Sequence, residues 1–349
     1  MARVRVALLG YGLAGSAFHA PFIDAVDGLE LAAIVTSDPE RRRRAERDHP
    51  QAELLDAADG IWARATEFDL AVIAAPNRAH APLAKAAIDS DVAVVVDKPL
   101  TPTAADGRQL VRAARARGVF LTVFQNRRWD ADFLTVRRLL GDGALGSVVR
   151  FESRLDRWRP ELAGGWREAP EPEEGGGLLL DLGSHLVDQA LQLFGPARLV
   201  YAELDRRRAG AAVDDDVFVA ITHRSGVRSH LWATTLAAQP AARLRVLGDR
   251  TAYVKHRGDV QEEQLRAGLG PRDAGFGVEP EEQWGTLGAG SDVRAVPSEP
   301  GAYGRFYEAV AAALRGEAPP PVDPDDALAA LEVLDAARAS AAAGRTVEL

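Results

Sequence analysis

The sequence predicts an α/β protein in which a doubly wound parallel sheet is followed by an α+β domain with a largely antiparallel, open sheet. Three observations carry that reading. An apolar, β-branched run at Val4–Leu9 breaks into Gly10, Gly12 and Gly15 and then resumes with helical spacing. Strand-like and helix-like segments then alternate up to residue 125, as a parallel sheet with crossover helices requires. Beyond that point strands follow one another without intervening helices, which points to antiparallel pairing. The domains are therefore expected at 1–125, binding a dinucleotide, and 126–349.

The first segment reads as strand, tight turn, helix. Gly10 permits the turn, Gly12 has no side chain to keep a diphosphate off the backbone, and Gly15 lets helix and strand approach. The free amides and dipole of the helix N-terminus then attract the anion. A lone GxGxxG is weak evidence, but here it follows a strand and opens a helix, which is the context it needs. Gly10, Tyr11, Gly12, Leu13 and Ala14 are accordingly expected at the cofactor. Leu29–Val35 is the second strand. Where an NAD-binding chain usually places Asp or Glu on the ribose hydroxyls, this one has Thr36. Ser37, Arg41, Arg42 and Arg43 follow, a pattern that favours NADP over NAD.

Phe68–Ala75 is a buried strand ending in Pro76-Asn77 and, a little further on, His80. Ligands lie outside the carboxyl ends of parallel strands, so Ala75, Pro76, Asn77 and His80 are expected beside the nicotinamide. Val92–Val96 is another buried strand, closed by Asp97-Lys98-Pro99. The proline disfavours helical geometry at Lys98 and delivers it to the strand's end. Phe120–Gln125 completes the set. In the second half, Ala131–Leu140 reads as a helix, Ser147–Arg154 as a strand and Leu178–Phe194 as an apolar helix. Several strands lie between Arg198 and His256, among them Val217–Thr222 and Val227–Thr235. Gly258–Pro300 reads as long loops with a short helix, and helices near Tyr303–Leu314 and Pro324–Ala342 close the chain. The last has Asp323 as N-cap, Pro324 at its first position and Gly344 past its end.

Composition narrows the function. A chain of 349 residues can bury a sizeable core, and no run of about 18 apolar residues crosses a membrane. The glycines interrupt the N-terminal apolar run, so it is a poor signal peptide, and a cytoplasmic location is expected. The absence of cysteine excludes disulfides and thiolate chemistry. A net charge of −9 argues against nucleic acid as a partner. Of 42 lysines and arginines only Lys85, Lys98 and Lys255 are lysine, so a lysine that persists invites the question of what arginine could not do there.

Hydride transfer to a nicotinamide needs a proton acceptor, a group that stabilises charge on oxygen, and rigid placement. Asp181 and His185 are four apart on a helix and share a face, which Asp188 continues one turn on. Lys98 could bind the reacting oxygen with a compact ammonium. These three are the catalytic candidates. His185, Asp181 and Asp188 lack the second histidine or cysteine of a convincing metal site, so no metal is expected.

Taken together, the Gly10–Gly15 turn, Ala75-Pro76-Asn77 with His80, Asp97-Lys98-Pro99 and the Asp181…Gly183…His185…Asp188 helix resemble the Gfo/Idh/MocA oxidoreductases, in their order. Asp97 departs from the family's usual glutamate by one methylene. Val123–Leu134, Trp166-Arg167-Glu168 and Leu180–Gln189 are similar to the NADP-dependent scyllo-inositol 2-dehydrogenase branch. The resemblance implies a Rossmann domain, and a second domain whose open sheet forms a homodimer or homotetramer interface. It implies that Lys98 binds the reacting oxygen, His185 exchanges its proton and Asp181 orients them, at a polyol substrate that all three contact. It further implies that Trp166 and Arg167 reach over the cofactor, while Asn126, Arg127, Asp156 and Arg157 line the polyol pocket. The expected reaction is oxidation of a ring hydroxyl of a cyclitol or sugar by NADP. A sugar or aldose reductase, or a non-catalytic regulator that senses NADP, are the alternatives.

Overall fold

The computed structural model describes residues 3–349. By its internal contacts the chain forms two units: residues through Asn126 with 262–276 and 303–328, and residues 127–261 with 277–302 and 329–349.

The first unit is built on six strands, β1 (Val4–Leu9), β2 (Leu29–Val35), β3 (Glu53–Leu55), β4 (Leu70–Ile73), β5 (Ala93–Asp97) and β6 (Leu121–Phe124). All are parallel, in the order β3-β2-β1-β4-β5-β6. That order reverses direction beside β1, which opens a crevice at the carboxyl edge. Val6, Ala7 and Leu8 of β1, Val72 and Ile73 of β4 and Val94, Val95 and Val96 of β5 are fully buried. Such unbroken apolar runs are what a sheet covered on both faces demands.

Strand β3 is absent from the sequence reading. It has three residues at the sheet edge, none fully buried, so it carries no apolar signal. Two segments from beyond residue 125 also pack with this unit. Phe306 meets Phe124 at 4.9 Å between ring centroids and Tyr303 meets Phe22 at 6.2 Å, both from the start of the helix Gly304–Leu314 and the residue before it.

The second unit carries nine strands: β7 (Val148–Asp156), β8 (Ala197–Asp205), β9 (Asp216–His223), β10 (Arg228–Thr234), β11 (Leu244–Gly248), β12 (Ala252–Lys255), β13 (Gly285–Ala289), β14 (Asp292–Val296) and β15 (Val347–Glu348). The order is β14-β13-β12-β11-β7-β10-β9-β8-β15, antiparallel except where β10 runs parallel to β7. Burial alternates along β9: Val217, Val219 and Ile221 point into the core while Phe218, Ala220 and Thr222 face outward. Helix Ser184–Phe194 packs on β7 and β10. Ser340, on the helix Pro324–Ala343, accepts the Ala202 amide of β8 at 3.0 Å. At the start of that helix the Asp323 carboxylate accepts the Asp325 amide at 2.9 Å. The hairpin β13–β14 lies inside the stretch read as loops. The two glycines of its first strand and its exposed, charged second strand hide the alternation that marks a sheet.

Candidate active site

In the first unit the glycine turn lies at the carboxyl end of β1. Gly10 adopts φ of +107°, and its amide donates to the Val35 carbonyl at 3.0 Å. A methyl group on Gly15 would run into the Gly10 carbonyl, so helix and turn touch backbone to backbone. Gly12, by contrast, faces open space, the nearest group to a side chain there being the Arg41 guanidinium at 3.8 Å. A bare backbone concavity with a cation beside it fits a dinucleotide diphosphate. Residues Ala14–His19 form a wide π-helical turn before the chain tightens into the α-helix Ala20–Ala25. Leu13 remains half exposed.

The expected cofactor residues divide. Tyr11 is buried, its hydroxyl donating to Asp48 at 3.3 Å and its ring edge-on to His49, so only its backbone borders the turn. Burial and the Asp48 carboxylate push that phenol well above the usual tyrosine range. Ser37 and Arg41 are exposed, whereas Arg42 is tied to Asp56 at 2.8 Å and to the Leu54 carbonyl at 3.2 Å. The next carboxylate after Thr36, that of Asp38, is taken up capping the helix Pro39–Asp48 through the amides of Glu40 and Arg41. Those bonds, the Arg41 amide first, hold its carboxyl below the usual range.

At the ends of β4 and β5, Ala75 and Pro76 stay partly exposed while Asn77 is buried. His80 is not at the surface. Its Nδ1 lies 2.8 Å from the Pro99 carbonyl and its Nε2 2.9 Å from the Ala75 carbonyl, with 1% of the residue exposed. It therefore ties the turn that carries Asn77 to the turn that carries Lys98. Burial holds the ring's pKa below the ordinary histidine value, opposed by Asp97 and both carbonyls. The Asp97 carboxylate folds back to accept the Lys98 amide at 2.8 Å, and Lys98, followed by a cis proline, is partly exposed at the carboxyl edge of β5.

In the second unit Asp181 sits in a π-helical turn, Leu179–Gly183, that runs directly into the α-helix Ser184–Phe194. Its carboxylate lies between two guanidinium groups, Arg167 at 3.6 Å and Arg157 at 3.9 Å. Arg167 in turn stacks over the Trp166 ring, 4.4 Å from its centroid. The structure thus brings together four of the expected residues: Arg157, Trp166, Arg167 and Asp181. His185, at the first turn of the α-helix, is 5% exposed. Arg127 pairs with Asp130 at 3.1 Å, and Asp156 accepts the Ala241 amide at 3.1 Å. Asn126, 8% exposed, belongs by its contacts to the first unit.

Two residues that shape this helix escaped the sequence reading. Asp214 accepts the Leu179 amide at 2.6 Å and so caps the entry to the Asp181 turn, at a position where a side chain on Gly177 would collide with it. Burial raises its carboxyl above the usual range. In sequence it is one of three consecutive aspartates, and nothing in that run singles it out. Arg128 pairs with Asp188 through both carboxylate oxygens, and the only sequence signal was the spacing of Asp188 from His185. Among the described residues no group of three or more histidines and carboxylates could hold a metal ion, and no helix is long and apolar enough to cross a membrane.

A Rossmann sheet with an open glycine turn, followed by an α+β unit, defines a nucleotide-dependent oxidoreductase. Residues 4–125 match the NAD-binding Rossmann fold of the oxidoreductase family GFO_IDH_MocA, and residues 137–349 match that family's C-terminal alpha/beta domain. The chain belongs to this family and is an enzyme with an NAD(P)-binding domain. It is 39% identical over 334 residues to the uncharacterized oxidoreductase YdgJ of Escherichia coli, covering 95% of this chain and 94% of that one. It is 33% identical over 350 residues to the NADP(+) scyllo-inositol 2-dehydrogenase IolW of Bacillus subtilis, covering 99% and 96%. Among solved structures, YPO2259 from Yersinia pestis superposes with a TM-score of 0.92 at 37% identity, over 100% of this chain and 97% of that one.

Proposed function

We propose that the enzyme reversibly oxidises a ring hydroxyl of a cyclitol or sugar, of scyllo-inositol or inosose type, with NADP. The observation that carries the reading is the position of Lys98 at the carboxyl edge of β5, on the same edge as the glycine turn of β1 and Ala75-Pro76 of β4. A doubly wound sheet binds its ligands along that edge. Arg41 beside Gly12, with Thr36 and Ser37 where an NAD enzyme would carry a carboxylate, supports NADP. Substrate class is supported by the full-length likeness to a scyllo-inositol dehydrogenase and by a partial one to an inositol 2-dehydrogenase of Saccharopolyspora erythraea, 35% identical over 145 residues.

When bound, the nicotinamide exchanges a hydride with the carbon that bears the hydroxyl. Lys98 hydrogen-bonds the oxygen of that hydroxyl and stabilises its negative charge. His185 takes up or returns the proton. Asp181, held between Arg157 and Arg167, orients the imidazole and the polyol, with Asn126, Arg127 and Asp156 completing the polar pocket. Trp166 and Arg167 cover the cofactor. We further propose a cytoplasmic enzyme that assembles as a homodimer or homotetramer through its second sheet. The outward face of that sheet supports this, since Phe218 and Trp232 stack at 5.1 Å and the Arg154 guanidinium lies 3.8 Å over Trp232.

The test is a panel of cyclitols and sugars followed through NADPH absorbance in both directions. Lys98→Met and His185→Asn should each lower kcat by about 10²-fold or more while NADPH affinity changes little. Lys98→Arg should not restore turnover, because a guanidinium does not occupy the place of a compact ammonium. Full turnover in Lys98→Met or His185→Asn removes that residue's assigned role. Arg41→Ala should lower kcat/KM for NADP more than for NAD, and an equal loss for both would withdraw the cofactor assignment.

A further inference from the structure

We propose that Arg128 is a positioning residue that sets the direction of His185 by holding Asp188, and that direction is the main contribution of this buried ion pair. The proposal rests on the reading of His185 as the proton-exchanging group.

Asp188 lies three residues after His185 on one helix, on the same face and about 4.5 Å further along the axis. The guanidinium of Arg128 reaches both of its oxygens, Nε to Oδ2 at 2.9 Å and Nη2 to Oδ1 at 2.6 Å, with side-chain exposures of 9% and 3%. The next residue, about 100° further round the helix, is tethered as well. Gln189 donates to the Arg127 carbonyl at 2.7 Å, and its oxygen accepts from Arg243 at 3.4 Å. Arg243 is itself fixed by Ser153 at 2.5 Å and Asp132 at 3.2 Å. Two directional tethers on adjacent residues set the rotation of the helix about its axis as well as its height.

Apolar packing holds the helix down but does not fix its rotation. Leu186, Val187 and Ala190 are buried, yet the hydrophobic contribution is non-directional. A side-chain tip about 6 Å from a helix axis moves about 1 Å when the helix turns by about 10°. A misplacement of about 1 Å costs on the order of 10²-fold in rate. Stability alone is a weak reason for such a pair. Two buried charges lose hydration, and an apolar pair of similar volume often serves stability equally well.

The discriminating variant is therefore the double replacement Arg128→Met with Asp188→Leu, which fills the space and leaves no lone buried charge. Urea midpoint and NADPH affinity should stay near wild type. We expect kcat to fall by about 10- to 100-fold with little change in KM. The His185 limb of the pH–rate profile and the His185 ring resonances of the cofactor-free protein should shift. Arg128→Lys keeps the charge but gives up the two-pronged geometry, so a several-fold fall in kcat is expected there, and it reads the same question if the double variant does not fold. Wild-type kcat with an unchanged pH profile in whichever of these variants folds overturns the proposal. Full turnover in His185→Asn instead removes the reading beneath it, so the two failures are distinguishable.

Discussion

Acid should loosen the helix that follows the glycine turn, and His19 is where the effect is largest and best defined. Its ring is wholly buried, Nδ1 is 2.6 Å from the Tyr307 hydroxyl, and Phe124 lies 4.4 Å from it between centroids. Burial pulls its pKa from 6.5 to about 4, Asp97 opposing and His80 reinforcing the change. Because the folded value is the lower one, the unfolded chain takes the proton first. The stabilisation is fully present above the unfolded value of 6.5 and is lost as pH falls to and through about 4. A tenfold difference in proton affinity between the folded and unfolded chain is worth about 1.4 kcal/mol, so this group alone removes roughly 3 kcal/mol by the bottom of the window. Urea midpoints at several pH values should show it against His19→Gln, which keeps a polar partner for Tyr307 but does not titrate. His223 and His230 also have depressed values, but they are common to both proteins and cancel in the difference, whereas His80, which acts on His19, belongs to the difference being read. Parallel pH dependences in the two proteins would refute the argument.

Two further outcomes follow from close packing. Gly15→Ala puts a methyl group into the Gly10 carbonyl, so the turn must open; NADPH titration should show affinity weakened by 10-fold or more, with about 1–3 kcal/mol of stability lost by urea unfolding. Unchanged affinity would show that the turn does not carry the diphosphate. Lys255 and Glu279, both fully buried and 2.6 Å apart, form a second pair, so Lys255→Met leaves a lone carboxylate in the core and should cost about 3–5 kcal/mol. Adding Glu279→Leu should recover most of the urea midpoint, and no recovery would mean that the lysine acts through its other contact, the Gln283 carbonyl at 2.7 Å.

The parallel sheet was legible because its strands are buried on both faces and its turns end in glycine, proline or lysine, signals that need only neighbouring residues. The edge strand β3 and the hairpin β13–β14 were not: β3 owes its pairing to a strand some way back in sequence, and the exposed, charged β14 shows no apolar alternation although its partner is its neighbour. The same distinction runs through the site. Gly10, Gly12, Gly15 and Lys98 could be read locally, whereas the carbonyls that hold His80 come from turns on two different strands. A histidine beside a cofactor motif reads as a ligand. Here the long-range contacts make it a clamp between the two turns. Arg41 and Arg42 are likewise equivalent in sequence; the pairing of Arg42 with Asp56 and Leu54, and the place of Arg41 beside Gly12, separate them.

The scarcity of lysine shows how far such local signals reach. In a chain this rich in arginine, three lysines ask what a compact ammonium does that a guanidinium cannot. Lys85 gives little answer, lying exposed beside Asp89 one helical turn on. Lys255 gives a structural one: its ammonium fits a fully buried space between one carboxylate oxygen and one carbonyl, where a planar fork with five donors would leave several unsatisfied. Lys98 differs from both in being partly exposed at the carboxyl edge of a parallel strand. Rarity alone therefore does not pick out the places where shape forbids arginine; among the three, burial shows that for Lys255. It takes the position at the sheet edge to separate a lysine that holds the core from one set where a doubly wound sheet leaves room for ligands.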